Sequence, residues 1–463
     1  GEHNVWLAVS FVCGFTALAY EVIWSRLLVF SIASTVYSFS MMLGVFLLGI
    51  MLGSLLVVTL SRSNLNLRTV LIFLQAGIGL YVIGSLYNID QLLSAPWNGY
   101  NLQKPVFVFS RYFLDSSALM LLPAIGLGMS FPILVKMISG GYKHIGKETG
   151  QIYGVNTLGA ILGSLLTGFL LIPKLGTQQS LLLVATLNLL MMLFLFRTGD
   201  YFTKTLRKVM TVVLAGVILI VNMGVPPDLL DRFFMRDSAG QKDIRKLIYF
   251  EEGLTDTVAI FKDDYGILDP DAKRLVTNGV SMSAVNFVAS RYMKLLAHIP
   301  IMLVDNPQDI LVVCFGTGQT TGAAAMHPKV KTVDSVDLSE SVLKAGNVFA
   351  SQNYNALKND KVRTFLTDGR NHLLTTQKMY DVITSEPPPP RTAFTVNLYT
   401  KEYYEMARQR LNPGGIMAQW IPLHSQGKNE VLMHFKTFLA VFPNAIAWMP
   451  VANEIIIIGS QNP

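Results

Sequence analysis

The chain has 463 residues, of which 51% are hydrophobic and 14% are charged, and its mean hydropathy is +0.43. Soluble domains carry about 25% charged residues, so the composition argues against a protein that is soluble throughout. Residues 1–226 hold 13 Lys and Arg against 6 Asp and Glu, whereas residues 227–463 hold 24 of each. The net charge of +7 thus belongs to the apolar half, which is typical of basic loops beside membrane spans and excludes a basic nucleic-acid-binding face.

Residues 1–226 contain apolar segments long enough to cross a lipid bilayer, which takes roughly 20 helical residues. The seven segments are 6–30, 36–60, 70–87, 113–137, 152–172, 180–196 and 210–225. Because the first continues directly into the second, we expect a span and not a cleaved signal peptide. In the fifth segment, Gly159, Gly163 and Gly168 form a small-residue pattern that lets helices pack closely. The sequence predicts an α-helical multi-pass membrane domain over residues 1–226.

Glu21 and Arg26 are the ionisable residues that we expect to lie deepest in this half. A charge inside a span is unfavourable and normally faces a partner or a polar cavity. Two interpretations stay open. The pair is either a membrane polar site for a ligand or a proton, or a structural ion pair near the membrane face with Arg26 extended towards the headgroups.

Basic residues predict the orientation, because cytoplasmic loops are enriched in them. Nine lie on the side of the N-terminus: Arg62, Arg68, Lys136, Lys143, Lys147, Arg197, Lys204, Arg207 and Lys208. The other side has three: Lys104, Arg111 and Lys174. This count favours a cytoplasmic N-terminus, and seven spans would then carry the second half out of the cytoplasm. Nucleotide-like cofactors are made inside the cell, which favours the opposite side, and one span fewer would reverse the result.

The second half begins with a linker over 227–247 and a small β subdomain with a helix over 248–300. Strands are predicted at 257–261 and 274–277, with a turn at 263–266. Asn278-Gly279 is a strong signal for a two-residue hairpin turn. The helix is expected over 284–298, where Pro300 would stop it.

Residues 301–463 alternate buried strands with helices, which predicts a parallel α/β sheet of Rossmann type. An apolar strand at 309–315 runs into Gly316 and Gly318, where the absence of side chains lets the backbone approach a ligand. The next strand ends at Asp337, 21 residues after Gly316, where such folds place an acid on ribose hydroxyls.

Two further strands end in candidate site residues. The strand 362–366 leads to Asp368-Gly369, and the strand 380–384 leads to Glu386. Ligands bind beyond the carboxyl ends of the strands in open α/β sheets, so these acids should share one crevice with Asp337. The two cysteines, Cys13 and Cys314, suggest neither a disulfide framework nor a metal site.

This order of motifs resembles class I methyltransferases and, more narrowly, the spermidine/spermine synthase family. The resemblance covers about 248–460 and implies decarboxylated S-adenosylmethionine or S-adenosylmethionine as the co-substrate, without a metal. It implies that Gly316, Gly318, Asp368 and Gly369 bind the nucleoside, with Asp368 on the adenine amine, and that Asp337 holds the ribose. The whole chain resembles bacterial membrane-bound spermidine synthase-like proteins, in which a half-transporter-like helical region precedes this domain, through the runs 19–26, 154–159 and 384–387. This resemblance implies a place in the bacterial inner membrane.

The sequence also departs from the family. Soluble aminopropyltransferases place an aspartate after the fourth strand as the base, whereas here Glu386 is the candidate catalytic residue. Tyr292 and Tyr399 are candidates for the acceptor side. The acidic and tyrosine residues that hold the polyamine on the family's gate helix are missing, and Arg291 and Lys294 would repel a cationic polyamine.

Three functions remain open on these residues. The first is a membrane-embedded transferase that moves an aminopropyl or methyl group to a small-molecule amine acceptor. The second is a non-catalytic accessory subunit, in which the Rossmann domain docks other subunits of a membrane complex or a second copy of the chain. The third is a polyamine or nucleoside transporter with a sensor domain. Product formation would isolate the first from the others.

Overall fold

The structure, a computed structural model, describes residues 2–62, 65–93, 105–138, 145–199, 203–234, 246–263, 269–424 and 426–460. Lys104, Lys143, most of the predicted linker and the turn residues 264–266 lie outside this part of the chain. The chain divides into a first unit, Gly1–Ala33 with Tyr37–Asp243, and a second unit, Ser34–Val36 with Ile244–Pro463.

The described part of the first unit is helical, and its residues are predominantly apolar. Its helices are α1 (Glu2–Ile32), α2 (Val36–Leu60), α3 (Leu67–Tyr87), α4 (Ile89–Leu92), α5 (Pro105–Ser116), α6 (Leu122–Ile138), α7 (Ile145–Leu166), α8 (Ile172–Thr198), α9 (Lys204–Met223) and α10 (Leu229–Phe234). Within the described residues, six helical stretches are long and apolar enough to cross a membrane, judged by length and composition. Six of the seven predicted segments fall within these six stretches, and the seventh, 210–225, extends two residues beyond the end of α9 at Met223.

The difference between seven segments and six stretches comes from Gly146–Thr198, a helical stretch of 53 residues that contains two predicted segments. A straight helix of this length would extend about 80 Å, far more than the roughly 30 Å hydrocarbon core. The helix is broken at Gly176, whose φ of 79° and ψ of 165° are not helical. Glycine tolerates this backbone conformation because it has no Cβ. The two predicted segments therefore lie on either side of the break.

Two short π-helical segments interrupt the bundle, and both precede a proline at the same distance. Ser117–Leu121 joins α5 to α6 and lies before Pro123, and Thr167–Leu171 joins α7 to α8 and lies before Pro173. Proline cannot donate to the carbonyl four residues earlier and its ring clashes with it. The wider turn accommodates this loss, as π-bulges commonly do.

Helices α1 and α7 run parallel and are packed backbone to backbone. A Cβ added to Gly159 would lie 2.1 Å from the carbonyl oxygen of Phe11, and one added to Gly163 would lie 2.2 Å from that of Phe15. These two glycines confirm the predicted small-residue contact, since any side chain would force the helices apart. Gly168 is different, because its Cβ would meet only a methyl group of Val22, at 3.9 Å.

A chain of hydrogen bonds crosses the bundle and joins four of its helices. Tyr20 donates to Asn188 (2.7 Å), Asn188 donates to Gln75 (2.6 Å), and Gln75 donates to Ser130 (3.2 Å). All four side chains are buried. Because each is satisfied by its neighbour, the chain fixes the relative positions of α1, α8, α3 and α6.

Asp115 is the most buried carboxylate in the described part of the first unit, at 4% exposure. It accepts a hydrogen bond from the Ser31 hydroxyl, and Arg111 donates to the Ser31 carbonyl oxygen at 2.7 Å. Asp115 is thus a further buried ionisable residue of this half, and the depth of Glu21 and Arg26 in a bilayer stays a prediction. The predicted segment began at 113 and made Asp115 an edge residue, whereas the apolar helical stretch begins at Val106.

The second unit opens with a four-stranded antiparallel sheet in the order β1-β2-β3-β4. The strands are β1 (Lys246–Glu252), β2 (Thr257–Lys262), β3 (Lys273–Thr277) and β4 (Val280–Val285). Asn278 and Gly279 join β3 to β4 with φ angles of 50° and 77°, which confirms the two-residue hairpin turn.

Helix α11 (Phe287–Met302) follows the hairpin and differs from its prediction at both ends. It begins later because residues up to Val285 belong to β4 and because Asn286 caps it, accepting from the Ala289 N–H at 2.8 Å. It also continues past Pro300. The carbonyl oxygen of Leu296, which Pro300 cannot bond, instead accepts a hydrogen bond from the Thr384 hydroxyl at 3.0 Å.

The main sheet has seven strands in the order β10-β11-β9-β8-β5-β6-β7. The strands are β5 (Asp309–Val313), β6 (Thr332–Asp337), β7 (Val362–Leu366), β8 (Tyr380–Ser385), β9 (Leu411–Pro422), β10 (Asn444–Val451) and β11 (Glu454–Ser460). The helices between them are α12 (Gln319–Ala325), α13 (Glu340–Ala345), α14 (Gly369–Thr375), α15 (Lys401–Gln409) and α16 (Lys428–Leu439). β5 to β9 pair in parallel, and β11 pairs antiparallel to β9 and β10. The predicted Rossmann-type fold is confirmed for this half, with a mixed sheet.

Strand β5 is the middle one of the five parallel strands of this sheet and is buried on both faces. Leu311 and Val313 belong to one apolar cluster, and Ile310 and Val312 belong to another on the opposite face. The chain leaves β5 towards β6 on one side and returns to β8 on the other. This reversal creates a crevice beyond the carboxyl ends of β5 and β8, which is where such folds bind ligands.

Candidate active site

The loop after β5 carries backbone conformations that require glycine. Gly316 and Gly318 have φ angles of 53° and 78°, in the left-handed region that other residues avoid. A Cβ on Gly318 would also lie 2.5 Å from the Phe315 ring. Cys314 has a φ of 72° although it is not glycine, so the strand ends in a strained turn. Both predicted glycines therefore shape the loop at the crevice.

Asp337 ends β6 and holds this loop in place. Its two carboxylate oxygens accept the backbone N–H of Phe315 at 2.8 Å and that of Ser339 at 2.9 Å. Burial raises the pKa of Asp337, and the two N–H donors oppose that shift. Each carboxylate oxygen can accept more than one hydrogen bond, so both retain capacity for ribose hydroxyls.

Asp368 and Gly369 lie at the end of β7. The exposed Asp368 caps α14, with one carboxylate oxygen accepting the Asn371 N–H at 2.9 Å and the other left for a ligand donor. Packing requires a glycine at position 369, because an added Cβ would lie 2.4 Å from a methyl group of Val313. The binding of an adenine amine by Asp368 and the place of Gly369 in the nucleoside site stay predictions.

Glu386 follows β8 and faces the loop from the other side of β5. Its backbone N–H donates to the Val313 carbonyl oxygen at 3.1 Å, and its carboxylate accepts from the Thr320 hydroxyl at 3.3 Å and from Tyr292. Burial raises the pKa of Glu386 to about 8, the Tyr292 and Thr320 bonds oppose the shift, and the nearby charge of Glu454 adds to it. With this pKa Glu386 is mostly protonated at neutral pH, and its ionised form, which can accept a proton, predominates only above about pH 8.

Tyr292 places an aromatic wall beside Glu386. Its ring is stacked on Trp420, with centroids 6.2 Å apart and planes 12° from parallel. Trp420 donates its indole N–H to Glu454 at 2.7 Å. Burial and the charge of Glu386 raise the pKa of Tyr292 far above its usual value, so this hydroxyl remains a donor to Glu386.

Glu454 and Trp420 belong to this cluster but were not predicted. Glu454 begins β11 and pairs with Pro422 of β9, so only the antiparallel register brings it beside Tyr292. The continuous run of buried isoleucines along β11 would have indicated a buried strand but not its neighbour.

Tyr399 is buried at the carboxyl edge of the same sheet. Its hydroxyl donates to the carbonyl oxygens of Pro387 (3.2 Å) and Pro388 (3.4 Å), so it anchors the loop that follows Glu386. A role for Tyr399 in acceptor binding stays a prediction.

The basic residues of α11 are directed away from this cluster. Lys294 lies over the Tyr354 ring, with its ammonium 4.7 Å from the ring centroid, and Arg291 is exposed. Tyr292 points inward from the same helix to Trp420. Arg291 and Lys294 therefore lie on other faces of α11 than Tyr292. This geometry gives no support to the predicted repulsion of a cationic acceptor at Tyr292.

In the first unit, Glu21 and Arg26 lie on α1 but not on one face, since five residues turn a helix by about 140°. Glu21 is half-buried and, within the described part of the chain, has neither a hydrogen bond nor an ion pair. The ion-pair interpretation of Glu21 with Arg26 is therefore wrong. No group of three or more His, Cys, Asp or Glu side chains in the described residues could hold a metal ion.

A mixed seven-stranded sheet with a glycine loop, and with acids at or after the ends of β6, β7 and β8, defines a Rossmann-type domain. Residues 289–460 match the spermine/spermidine synthase domain family. Over 419 residues the chain is 25% identical to a polyamine aminopropyltransferase of Oceanobacillus iheyensis, covering 88% of this chain and 74% of that protein. That alignment is longer than the second unit, so the likeness extends into the helical half.

Over 128 residues the chain is 36% identical to a polyamine aminopropyltransferase of Methanocaldococcus jannaschii, which covers 28% of this chain and 43% of that protein. The crystal structure of spermidine synthase from Thermotoga maritima superposes with a TM-score of 0.41 at 18% identity, covering 47% of this chain and 73% of that one. The sequence matches support a transferase of the aminopropyltransferase type.

Proposed function

We propose that this chain is a membrane-embedded transferase that moves an aminopropyl group, or a methyl group, from a sulfonium nucleoside to an amine. The donor is decarboxylated S-adenosylmethionine or S-adenosylmethionine, and the acceptor is a small aliphatic amine. The observation that carries the proposal is the position of Glu386, a buried carboxyl group at the carboxyl end of β8 that accepts a hydrogen bond from the Thr320 hydroxyl at 3.3 Å. It stands across β5 from the acids that would hold the nucleoside.

The donor would lie over the glycine loop. Gly316 and Gly318 leave room for its sugar, and Asp337 keeps acceptor capacity for the ribose hydroxyls. Asp368, exposed at the end of β7, would accept from the adenine amine, with Gly369 behind it. The site needs little further chemistry on this side, because a carbon bonded to a sulfonium is already activated.

The acceptor side has to place a neutral amine nitrogen in line with that carbon. The nitrogen lone pair forms the new C–N bond, the C–S bond breaks, and its electrons remain on the sulfur, which leaves as a neutral thioether. The amine proton passes to Glu386. Positioning and proton removal are therefore the protein's two tasks.

Glu454 supplies a second negative charge beside Glu386. Helix α11 corresponds to the family's gate helix and lacks the acidic residues that the family has there. A diamine acceptor carries a cation at its distant end, and a carboxylate close to Glu386 favours that charge. The stacked rings of Tyr292 and Trp420 offer a wall for its methylene chain and attraction for its ammonium.

Product formation tests the proposal. The full chain, purified in detergent, is incubated with either donor and with 1,4-diaminobutane or spermidine, and the products are separated by mass spectrometry. A longer polyamine with methylthioadenosine supports aminopropyl transfer, and a methylated amine with S-adenosylhomocysteine supports methyl transfer. If the protein binds the nucleoside but yields no product with any amine, the accessory-subunit function replaces this proposal.

We further propose seven membrane crossings in the bacterial inner membrane, with the second unit outside the cytoplasm. The last helix, α9, supports the crossing because it packs antiparallel along α8. Thr186 donates to Asn222 at 2.8 Å near one end, and Arg207 donates to the Gly199 carbonyl oxygen at the other. A helix lying flat in the interface would not follow α8 along its length. The count of nine basic residues against three supports a cytoplasmic N-terminus.

A reporter fusion gives the corresponding prediction. A phosphatase that is active only outside the cytoplasm, fused after Pro463, should be as active as a known exported fusion. The same reporter fused after Gly199, at the predicted cytoplasmic end of α8, is the matched control and should be silent. A silent but expressed fusion at Pro463 would contradict the seven-crossing topology and place the second unit in the cytoplasm.

A further inference from the structure

A half-open cavity of about 290 Å³ lies in the helical unit between α1, α2, α6 and α7. Its volume is that of roughly ten waters at about 30 Å³ each. Its wall combines small side chains with a few polar ones, among them Ala17, Gly128, Ala160, Ser54 and Asn156. Binding cavities for small molecules have this character, being mostly apolar with a few polar groups.

Glu21 stands one helical turn beyond this cavity. Gly14, Ala17 and Leu18 line it from α1, and Glu21 continues the same face at helical spacing. Side chains on a helix lean towards its N-terminus, so the Glu21 carboxylate leans over the turn that lines the cavity. As stated above, this half-buried carboxylate has no partner within the described residues. An unpaired charge at such a position in a bundle normally belongs to a functional site.

Thr167 is a second buried polar group at the level of Glu21. Among the described residues its fully buried hydroxyl has no hydrogen-bond partner, and the backbone there forms a π-turn of the kind common at functional sites. Thr167 directly follows α7, which carries Asn156 and Ala160. Because α1 and α7 run parallel, with Val22 against Gly168, Thr167 and Glu21 lie at one height in the bundle.

The charge of the ligand follows from the residues around it. Glu21 contributes a negative charge, the cavity lining contains no basic side chain, and Arg26 lies about 140° away around α1. The neighbouring hydrogen-bond chain from Tyr20 to Ser130 is already satisfied and does not require a ligand. From Glu21 to Gly14 the helix rises about 10 Å, so the site is elongated.

We propose that this cavity and Glu21, together the bundle site, bind a linear aliphatic amine in its cationic form. One ammonium group lies at Glu21 and Thr167, the methylene chain lies along Leu18 and Ala17, and the far end reaches Asn156. The bundle site goes beyond the proposed transfer reaction, because it lies wholly in the helical unit and uses none of the residues assigned to that reaction. It adds amine binding in the membrane to the function of the chain.

Equilibrium binding of radiolabelled spermidine tests the bundle site. The full chain is placed in nanodiscs of zwitterionic lipid without donor, and empty nanodiscs are subtracted. Glu21→Gln should weaken one binding event about tenfold or more, since a charged hydrogen bond is lost. Glu21→Asp keeps the carboxylate and should rescue most of the affinity. Ala17→Leu fills the cavity and should remove the same event, whereas Glu340→Gln, an exposed acid of the second unit, should change nothing.

Stoichiometry separates this proposal from the transfer reaction. If both are right, wild-type protein binds two amines per chain and Glu21→Gln retains one. If only the bundle site exists, wild type binds one and the variant none. Loss of one event in the variant supports the bundle site in either case. Equal binding by wild type, Glu21→Gln and Ala17→Leu, with all three folded by circular dichroism, overturns it.

Discussion

Replacing Glu386 by Gln should lower the rate of group transfer by about 10²- to 10⁴-fold, the usual contribution of a general base. The amide keeps the size of the side chain and can still accept from Thr320 and Tyr292, so the loop after β8 should hold its position. Only the capacity to take the amine proton is lost. Donor affinity should change little, because the nucleoside residues lie on the other side of β5.

The pH dependence gives a sharper measurement. With a pKa of about 8, Glu386 is protonated and inactive as a base below that pH, so kcat/KM should rise with pH and level off above 8. The amine acceptor also loses a proton as the pH rises, and this second effect is common to all variants. In Glu386→Gln, the rise of kcat/KM near pH 8 should disappear, whereas the rise caused by deprotonation of the amine should remain.

Glu454→Gln is the matched variant for this profile. It removes the neighbouring charge that contributes to the raised pKa, so the rise near pH 8 should move to lower pH while the base remains. The accompanying measurement is the thermal unfolding temperature of each variant. A Glu386→Gln protein with the wild-type rate and an unchanged rise near pH 8 would remove Glu386 from the mechanism.

Strand ends could be predicted from the sequence because two local signals coincide there. Apolar runs end abruptly at polar residues in a parallel sheet, and the following helix fixes the chain's return. Asp337, Asp368 and Glu386 were found in this way, and the structure brings Asp337 and Glu386 to the two sides of one loop through Phe315 and Thr320. Whether they bind and catalyse as assigned stays a prediction.

Contacts that depend on register or on tertiary context could not be predicted. Glu454 reaches the cluster through antiparallel pairing between β9 and β11, which leaves no trace in the sequence near either residue. Pro300 was read as a stop, but the hydroxyl of a distant threonine satisfies the carbonyl that the proline leaves free. In both cases a residue far along the chain determines the outcome.

In the helical half, too, local features could be predicted from the sequence, whereas features that depend on tertiary context could not. Composition was sufficient to locate every apolar segment, but not to show that residues 146–198 form one helical stretch broken at Gly176. Glycines placed at helical spacing predicted a close helix contact, and Gly159 and Gly163 make it against α1. Gly168 continues the pattern without such a contact, because spacing shows which residues share a face but not how far the contact extends.

Asp337 is the residue whose loss should affect donor binding most. It combines two tasks, since its oxygens hold the backbone of Phe315 and Ser339 and would also accept from the ribose. In Asp337→Ala both N–H groups lose their acceptor and the glycine loop loses its clamp. Each lost hydrogen bond to a charged group is worth about 1.5–3 kcal/mol.

We therefore expect Asp337→Ala to weaken nucleoside binding by at least about tenfold, since 1.4 kcal/mol corresponds to one decade in Kd. Calorimetry with methylthioadenosine or S-adenosylmethionine on detergent-purified protein measures the change. Asp360→Ala, which removes an exposed carboxylate of the same unit, is the control and should bind as wild type does. Equal nucleoside affinity of Asp337→Ala and wild type would show that Asp337 does not bind the ribose. If wild-type protein shows no nucleoside binding at millimolar concentration, the donor assignment is wrong, and a docking role for the second unit becomes the better account of its glycine loop and acids.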